Sequence, residues 1–274
     1  MALARGSALH VPSPRGVCVA RDGSILVSSD SKHSVRVFGP DGSPVRTIGS
    51  QGSGPGQLQC PRGVALDAEG NVVVADRDNN RVQVFRPDGA FLRSLGSKGS
   101  GPGQMNQPIG VAVDGAGRIL VSEWGNHRVQ VFGADGSILR SFGSKGSGPG
   151  QLLYPRGIAL DRDGAVVVAE YGSDRVQAFR PDGTAARCFG ASAGLGAGQP
   201  TGKCGVAVDA EGNAVVAEYG GHRVQVFGPD GAVVRSFGSE GSGPGQLRNP
   251  WGVAVDGEGS ILVADSGNDR VQMF

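Results

Sequence analysis

Short apolar runs alternate with polar, glycine-bearing turns along the whole chain, and the alternation itself recurs at a fixed interval. In one unit, Gly63-Val64-Ala65-Leu66-Asp67 is followed by the turn residues Ala68-Glu69-Gly70 and then by the β-branched run Asn71-Val72-Val73-Val74-Ala75-Asp76. A polar loop over 77–80 leads to Arg81-Val82-Gln83-Val84-Phe85, and Pro87-Asp88-Gly89 turns the chain into Phe91-Leu92-Arg93-Ser94-Leu95. Runs this short, rich in Val and Phe and bounded by Gly, Asp and Pro, predict four antiparallel strands, a to d, joined by hairpin-type turns. A long glycine-rich connection, Gly96 to Gln104, separates strand d from the next unit. No stretch carries a helical period.

The first glycine of the unit recurs as Gly16, Gly63, Gly110, Gly157, Gly205 and Gly252, at intervals of 47, 47, 47, 48 and 47 residues. A constant period across a chain marks a repeat protein. Six four-stranded units of this length predict an all-β fold, a six-bladed β-propeller forming one body over 1–274. The last unit stops at Phe274, after strand c. Residues 2–9 precede the first strand a and are expected to pair with 270–274, so that the N-terminal strand completes the last blade and hides two open edges.

Comparing the units exposes a recurrent charge pair. Thirteen residues after the key glycine stand Asp76, Glu123, Glu170, Glu218 and Asp265; eighteen after it stand Arg81, Arg128, Arg175, Arg223 and Arg270. In the first unit both positions become serine together, Ser29 and Ser34. Joint loss predicts that each acid grips its arginine across the b–c loop in a fork-like contact, an architectural latch.

Composition changes this picture little. The 26 Lys+Arg and 25 Asp+Glu nearly cancel, so net charge names no partner. The 49 glycines are periodic and occupy turns, which argues against disorder. Cys18 stands where other units have alanine and Cys188 where they have serine or threonine. Packed thiols without framework spacing fit a cytosolic or nuclear protein, and the cytoplasm is the expected compartment. No apolar run approaches the roughly 18 residues of a membrane span.

With these residues in view, the chain resembles the NHL-repeat family, named for an Asn-His-Leu signature close to Asn126-His127-Arg128. The carrying pattern is P-x-G-V-A-V-D, V-V-V-A-D, N-H-R-V-Q-V-F and F-G-S-x-G-x-G-x-G-Q, and it covers essentially the whole sequence. The resemblance implies a propeller like the C-terminal domain of tripartite-motif ubiquitin ligases and related translational repressors, one face of which binds RNA or a partner protein. The sequence carries no RING, B-box or coiled-coil pattern, so ligase chemistry is not expected in it. Propellers of similar appearance include amidating lyases and bacterial sensor domains, so the resemblance fixes fold more firmly than function.

In such a blade the d–a and b–c connections share one face, and the a–b and c–d turns share the other. All ten phenylalanines fall at the end of strand c or within strand d, which reads as core, whereas all five Trp and Tyr fall in the first pair of connections. Trp124, Tyr171 and Tyr219 occupy equivalent b–c positions in blades 3, 4 and 5, while Tyr154 and Trp251 lie just before strand a of blades 4 and 6. Arg15, Arg62 and Arg156 fill the middle of P-R-G at the inner rim, where they would reach a phosphate near the axis. With Arg77, Lys203 and Arg248 these residues form the expected ligand-binding face, suited to stacking bases or gripping a peptide. The opposite turns are rich in carboxylates, most of them turn formers.

No catalytic residue, metal ligand or cofactor is expected. His33, His127 and His222 share one position in blades 1, 3 and 5. That position opens strand c, about 10 Å outside strand a at ~4.8 Å per strand, too far out for three rings to share a zinc needing nitrogens near ~2.0–2.1 Å. The aspartates closing strand a (Asp67, Asp114, Asp161, Asp209 and Asp256) begin D-x-x-G turns and read as turn formers rather than a cation ring. Gly-Ser-Gly-Pro-Gly-Gln recurs without a following helix and is not a phosphate loop. The expectation is a monomeric, non-catalytic propeller that recognises RNA. A protein- or peptide-binding propeller of a ubiquitin-ligase-like or scaffold protein, using the same face, is the alternative, and a lyase or hydrolase with a channel metal comes third.

Overall fold

A computed structural model describes residues 6–190 and 202–274. Six four-stranded antiparallel sheets form the blades of a propeller. In blade 2, strands a to d are Pro61–Leu66, Val72–Asp76, Arg81–Phe85 and Phe91–Leu95. Each strand a touches strand a of the next blade, all the way round the axis. In blade 6, Pro250–Val255, Ile261–Asp265 and Arg270–Met273 supply a to c, and Ala8–His10 pairs with the last as strand d, in the register Ala8 to Gln272 and His10 to Arg270. The closure expected from the sequence therefore forms; residues 2–5 of that segment lie outside the described residues, as do 191–201 of the irregular fifth connection.

The turns follow from their aspartates. Asp67 Oδ1 accepts the backbone N–H of Glu69 at 3.0 Å and of Asn71 at 2.8 Å, closing the a–b turn around Gly70 at φ 80°. The aspartates closing strand a in blades 3 to 6 make the same contacts, so their carboxylates belong to the turns. Between blades the faces are apolar. Leu26, Val35 and Ile48 of blade 1 pack on Val64, Val72, Val74 and Phe85 of blade 2, and the pattern repeats around the ring. Phe85, Phe132 and Phe179 are fully buried in these seams, each contributing about 1.5–3 kcal/mol by leaving water.

The predicted latch is present in five blades, with Nε to carboxylate distances of 2.8 Å for Arg81–Asp76, 2.7 Å for Arg128–Glu123 and Arg175–Glu170, 2.6 Å for Arg223–Glu218 and 2.8 Å for Arg270–Asp265. Its geometry departs from the expected fork. Arg81 meets Asp76 through Nε alone, and its Nη2 donates to the carbonyls of Gly54 and Gln57, both at 2.8 Å. The buried Asp76 also accepts from Asn79 Nδ2 at 2.8 Å, Gln83 Nε2 at 3.1 Å and the backbone of Gln59 at 2.6 Å. The latch thus ties the b–c loop to the preceding glycine-rich connection. It also accounts for the Asn, Arg and Gln of the recurring N-x-R-V-Q motif, since Asn126, Arg128 and Gln130 converge on Glu123 in the same way.

The glycine-rich connection is self-contained. Gln57 Oε1 accepts the N–H of Gly54 at 3.0 Å, and its amide fills the space beside Gly52 that a side chain would occupy. Gln104, Gln151 and Gln246 repeat the contact with Gly101, Gly148 and Gly243. One loop N–H that a phosphate loop would offer is already taken in each copy.

Candidate functional site

The second residue of each strand a marks the axis: Arg15, Arg62, Ile109, Arg156, Cys204 and Trp251. Directly after each comes the period-defining glycine. A Cβ on any of the six glycines would lie less than 3 Å from a backbone oxygen of the next blade, that of Arg62, Ile109, Arg156, Cys204, Trp251 and Arg15 in turn. Close approach of backbone to backbone, rather than an unusual dihedral, makes glycine necessary here. Buried serines fix the same layer. Ser28 Oγ accepts from Gly16 N at 2.8 Å and donates to the Arg62 carbonyl, and Ser122 repeats this between Gly110 and Arg156. Arg62 and Arg156 therefore rise from a hydrogen-bonded base.

A second ring surrounds the first, made by the opening residue of each b–c loop: Asp30, Arg77, Trp124, Tyr171, Tyr219 and Ser266. Residues from both rings enclose a cavity of about 380 Å³. Arg15, Arg62, Arg77, Trp124, Arg156, Tyr171, Tyr219 and Trp251 all line it, so eight of the residues expected from the sequence share one mouth. Gln107 and Ile109 line it too and were not anticipated. Ile109 was legible as the blade 3 counterpart of the P-R-G arginines; Gln107 had no signal.

Three expected residues lie elsewhere. Lys203 is buried, 3.1 Å from Glu218 and 3.3 Å from Asp174, because it replaces the strand-opening proline and turns inward against the blade 5 latch. Arg248 is exposed outside the cavity; its backbone is held by Asp265 and Gly267. Tyr154 sits beneath the rim, stacked on Trp124 with centroids 4.5 Å apart, and supports that ring instead of facing the cavity.

Charge in the mouth is unbalanced. Asp30 is shared by Arg15 at 3.0 Å and Arg62 at 3.2 Å. Burial would raise its pKa, but Arg62 and Arg15 outweigh burial and hold the carboxyl below its ordinary value. Arg62 is pushed down to about 10, by burial first and then, against the pull of Asp30, by the like charges of Arg15 and Arg77. It remains a cation at neutral pH, crowded by others. Arg156 lies over the Tyr171 ring at 3.7 Å and donates from Nη1 to Cys204 Sγ at 2.8 Å. That thiol is neutral, since burial raises its pKa despite Arg156. Ile109, Cys204 and Trp251 form an apolar cluster with Trp124 and Tyr219 at its margin. The mouth thus interleaves cationic and apolar side chains.

The repeated histidines have another task. His33, His127 and His222 all adopt left-handed backbone, φ 51°, 54° and 50°, and their Nδ1 atoms accept the N–H of Cys60, Tyr154 and Asn249 in the next blade at 3.1, 3.1 and 3.2 Å. Asn80 Oδ1 does the same for Gln107 at 2.9 Å and Asp269 for Ser13 at 2.7 Å. Among the described residues no group of three or more His, Cys, Asp or Glu side chains converges as a metal site, and no helix is long and apolar enough to cross a membrane.

Comparison with known proteins agrees with the geometry. The model of the NHL repeat matches residues 58–85, 105–132, 152–179, 205–227 and 247–274. No curated protein matches the sequence. Solved structures of similar shape include a catalytically inactive virginiamycin B lyase from Staphylococcus aureus with quinupristin, 16% identical with a TM-score of 0.70 over 97% of this chain and 84% of that one. A gluconolactonase from Xanthomonas campestris is 16% identical, with a TM-score of 0.71 over 96% and 86%. A chain from the nidogen/laminin complex is 18% identical, with a TM-score of 0.69 over 89% and 85%. At such identities the likeness is one of fold. It nevertheless corrects one expectation. The exclusion of an enzyme rested on the scarcity of convergent catalytic groups in the sequence, yet propellers of this shape are lyases and a lactonase. That exclusion does not stand.

Proposed function

The chain belongs to the NHL-repeat family, and from that premise we propose that it binds single-stranded RNA across the end of the propeller that carries the axial mouth. The observation that supports this reading is the gathering of Arg15, Arg62 and Arg156 in one mouth, where the first two share Asp30, beside the indole and phenol rings of Trp124, Tyr171, Tyr219 and Trp251. Guanidinium groups grip phosphate, and flat rings accept bases without strict sequence demands. Tyr171, 37% exposed, offers the most accessible ring. The competing outcome is a protein or peptide seated on the same end; the neighbour from the nidogen/laminin complex keeps it in view.

A filter-binding titration against single-stranded RNA pools at two salt concentrations tests the reading. Phosphate contacts predict an affinity that falls as salt rises, and the double variant Arg62→Ala, Arg156→Ala is expected to lose binding. No binding at low salt would overturn the RNA reading in favour of a protein partner. Sizing the RNA after each titration covers the enzymatic precedent among similar propellers, because cleavage would make the mouth an active site.

A further inference from the structure

The mouth is a small cavity bounded by side chains of strand a and of the b–c loops. Its volume, about 380 Å³, stands at the small end of the roughly 300–1,000 Å³ typical of ligand pockets. A strand of RNA crossing the face lays its phosphates over the rim, whereas a cavity this small admits a single nucleotide, most readily at a chain end. Four arginines, Arg15, Arg62, Arg77 and Arg156, meet two carboxylates, Asp30 and the Asp78 that pairs with Arg77 at 3.3 Å. Lys203 and Arg223 nearby face Asp174 and Glu218. The mouth therefore holds a surplus of about two positive charges. An internal phosphodiester carries one negative charge; a terminal phosphomonoester carries about 1.5 to 2 at neutral pH.

Two further features point to an absent acceptor. Arg62 is 8% exposed, yet among the described residues its Nε has no hydrogen-bond partner. A buried donor left unpaired is costly and calls for an explanation. Arg93 and Arg140 share an orphaned Nε, but both are half-buried and lie on outer strands, away from the mouth; Asp30 Oδ1 is orphaned too, although the other oxygen of that carboxylate holds Arg15 and Arg62. Arg156 is the second feature: among the described residues it meets a ring and a neutral thiol but no carboxylate. Interleaved with the arginines, Ile109, Cys204 and Trp251 supply apolar surface that a base or ribose would cover.

We infer that the mouth seats a terminal phosphomonoester, with the Arg15, Arg62 and Arg156 guanidinium groups as its donors and the attached nucleoside against Trp251 and Ile109. This rests on the RNA reading only for the nucleotides beyond the first. The preferred ligand is then a single-stranded RNA with a phosphorylated 5′ end, and a free nucleoside monophosphate is the other source of the same chemistry.

The experiment compares one short RNA as its 5′-phosphate, 5′-hydroxyl and circularised forms by fluorescence anisotropy, with adenosine monophosphate as competitor. The 5′-phosphate form is expected to bind at least tenfold more tightly than the other two. Arg62→Gln is expected to erase that difference while leaving the thermal melt within about a degree of the parent. A variant that melts much earlier is replaced by Arg156→Gln, which has no carboxylate partner to strand. The Nε–H resonance of Arg62, followed by NMR, is expected to shift on adding adenosine monophosphate but not adenosine. Equal binding of all three RNA forms, with no monophosphate competition, overturns the inference and leaves the RNA reading standing. Monophosphate binding without RNA binding upholds the phosphate site and removes the RNA reading. Binding of neither overturns both.

Discussion

Arginine does two different things in two concentric zones of this propeller. In the outer zone Arg81 meets the buried Asp76 and two loop carbonyls, and the carboxylate itself receives four donors. Arg128 repeats the arrangement around Glu123. On the axis, Arg62 shares one carboxylate with Arg15 and keeps an Nε unpaired among the described residues, although it is the more buried. Burial of the same side chain is thus compensated in one place and left incomplete in the other. A closed network holds the fold; an open one suits the proposed ligand.

The largest effect is expected where the outer network is broken. Asp76→Ala strands Arg81, Asn79 and Gln83 at once and should cost about 3–5 kcal/mol, as does removal of one partner from a buried ion pair. Chemical denaturation reads this directly, and RNA affinity of the folded fraction is expected to hold. Next comes deletion of residues 1–10, which uncovers the edge of Arg270–Met273 and with it the blade 6 latch. A fall in melting temperature of on the order of 10 °C is expected for a loss of a few kcal/mol in a chain this size; an unchanged melt would show that the ring closes without that strand.

The axial arginines should behave oppositely. Arg62→Gln relieves repulsion from Arg15 and Arg77, so stability is expected to change by less than about 1 kcal/mol while RNA affinity drops about tenfold, the worth of a charge-assisted hydrogen bond. The smallest effect concerns the ties between blades. Burial and then Lys145 hold the His127 pKa below its ordinary value, favouring the neutral ring that accepts from Tyr154. Its contribution is present above the unfolded pKa of about 6.5 and is lost as pH falls below it, because the unfolded chain takes up the proton first. His127→Asn, copying Asn80 of blade 2, is expected to flatten the pH dependence of the melt slightly between pH 7 and 5.

The outer zone was legible in the sequence because it repeats: five acids and five arginines at fixed offsets, lost together in blade 1, are visible without coordinates. Only the bond pattern was missed, since carbonyl acceptors leave no trace in residue identity. The axial zone was legible in part. The P-R-G arginines and the loop aromatics stood out, but Asp30, Ile109 and Cys204 hold the same places with unlike side chains, and only the ring geometry shows that they face one cavity or flank it. Lys203 was misplaced because a lysine where other blades have proline looks exposed until its two acidic partners are seen. The enzyme question lay beyond residue patterns altogether, because the fold accommodates both kinds of chain.

The most direct trial of this division of labour measures melting temperature and RNA affinity side by side on Arg62→Ala and Arg81→Ala. The account predicts that Arg62→Ala melts with the parent and binds at least tenfold more weakly, whereas Arg81→Ala melts well below it and binds normally while folded. Parental affinity in Arg62→Ala, together with an early melt, would contradict it.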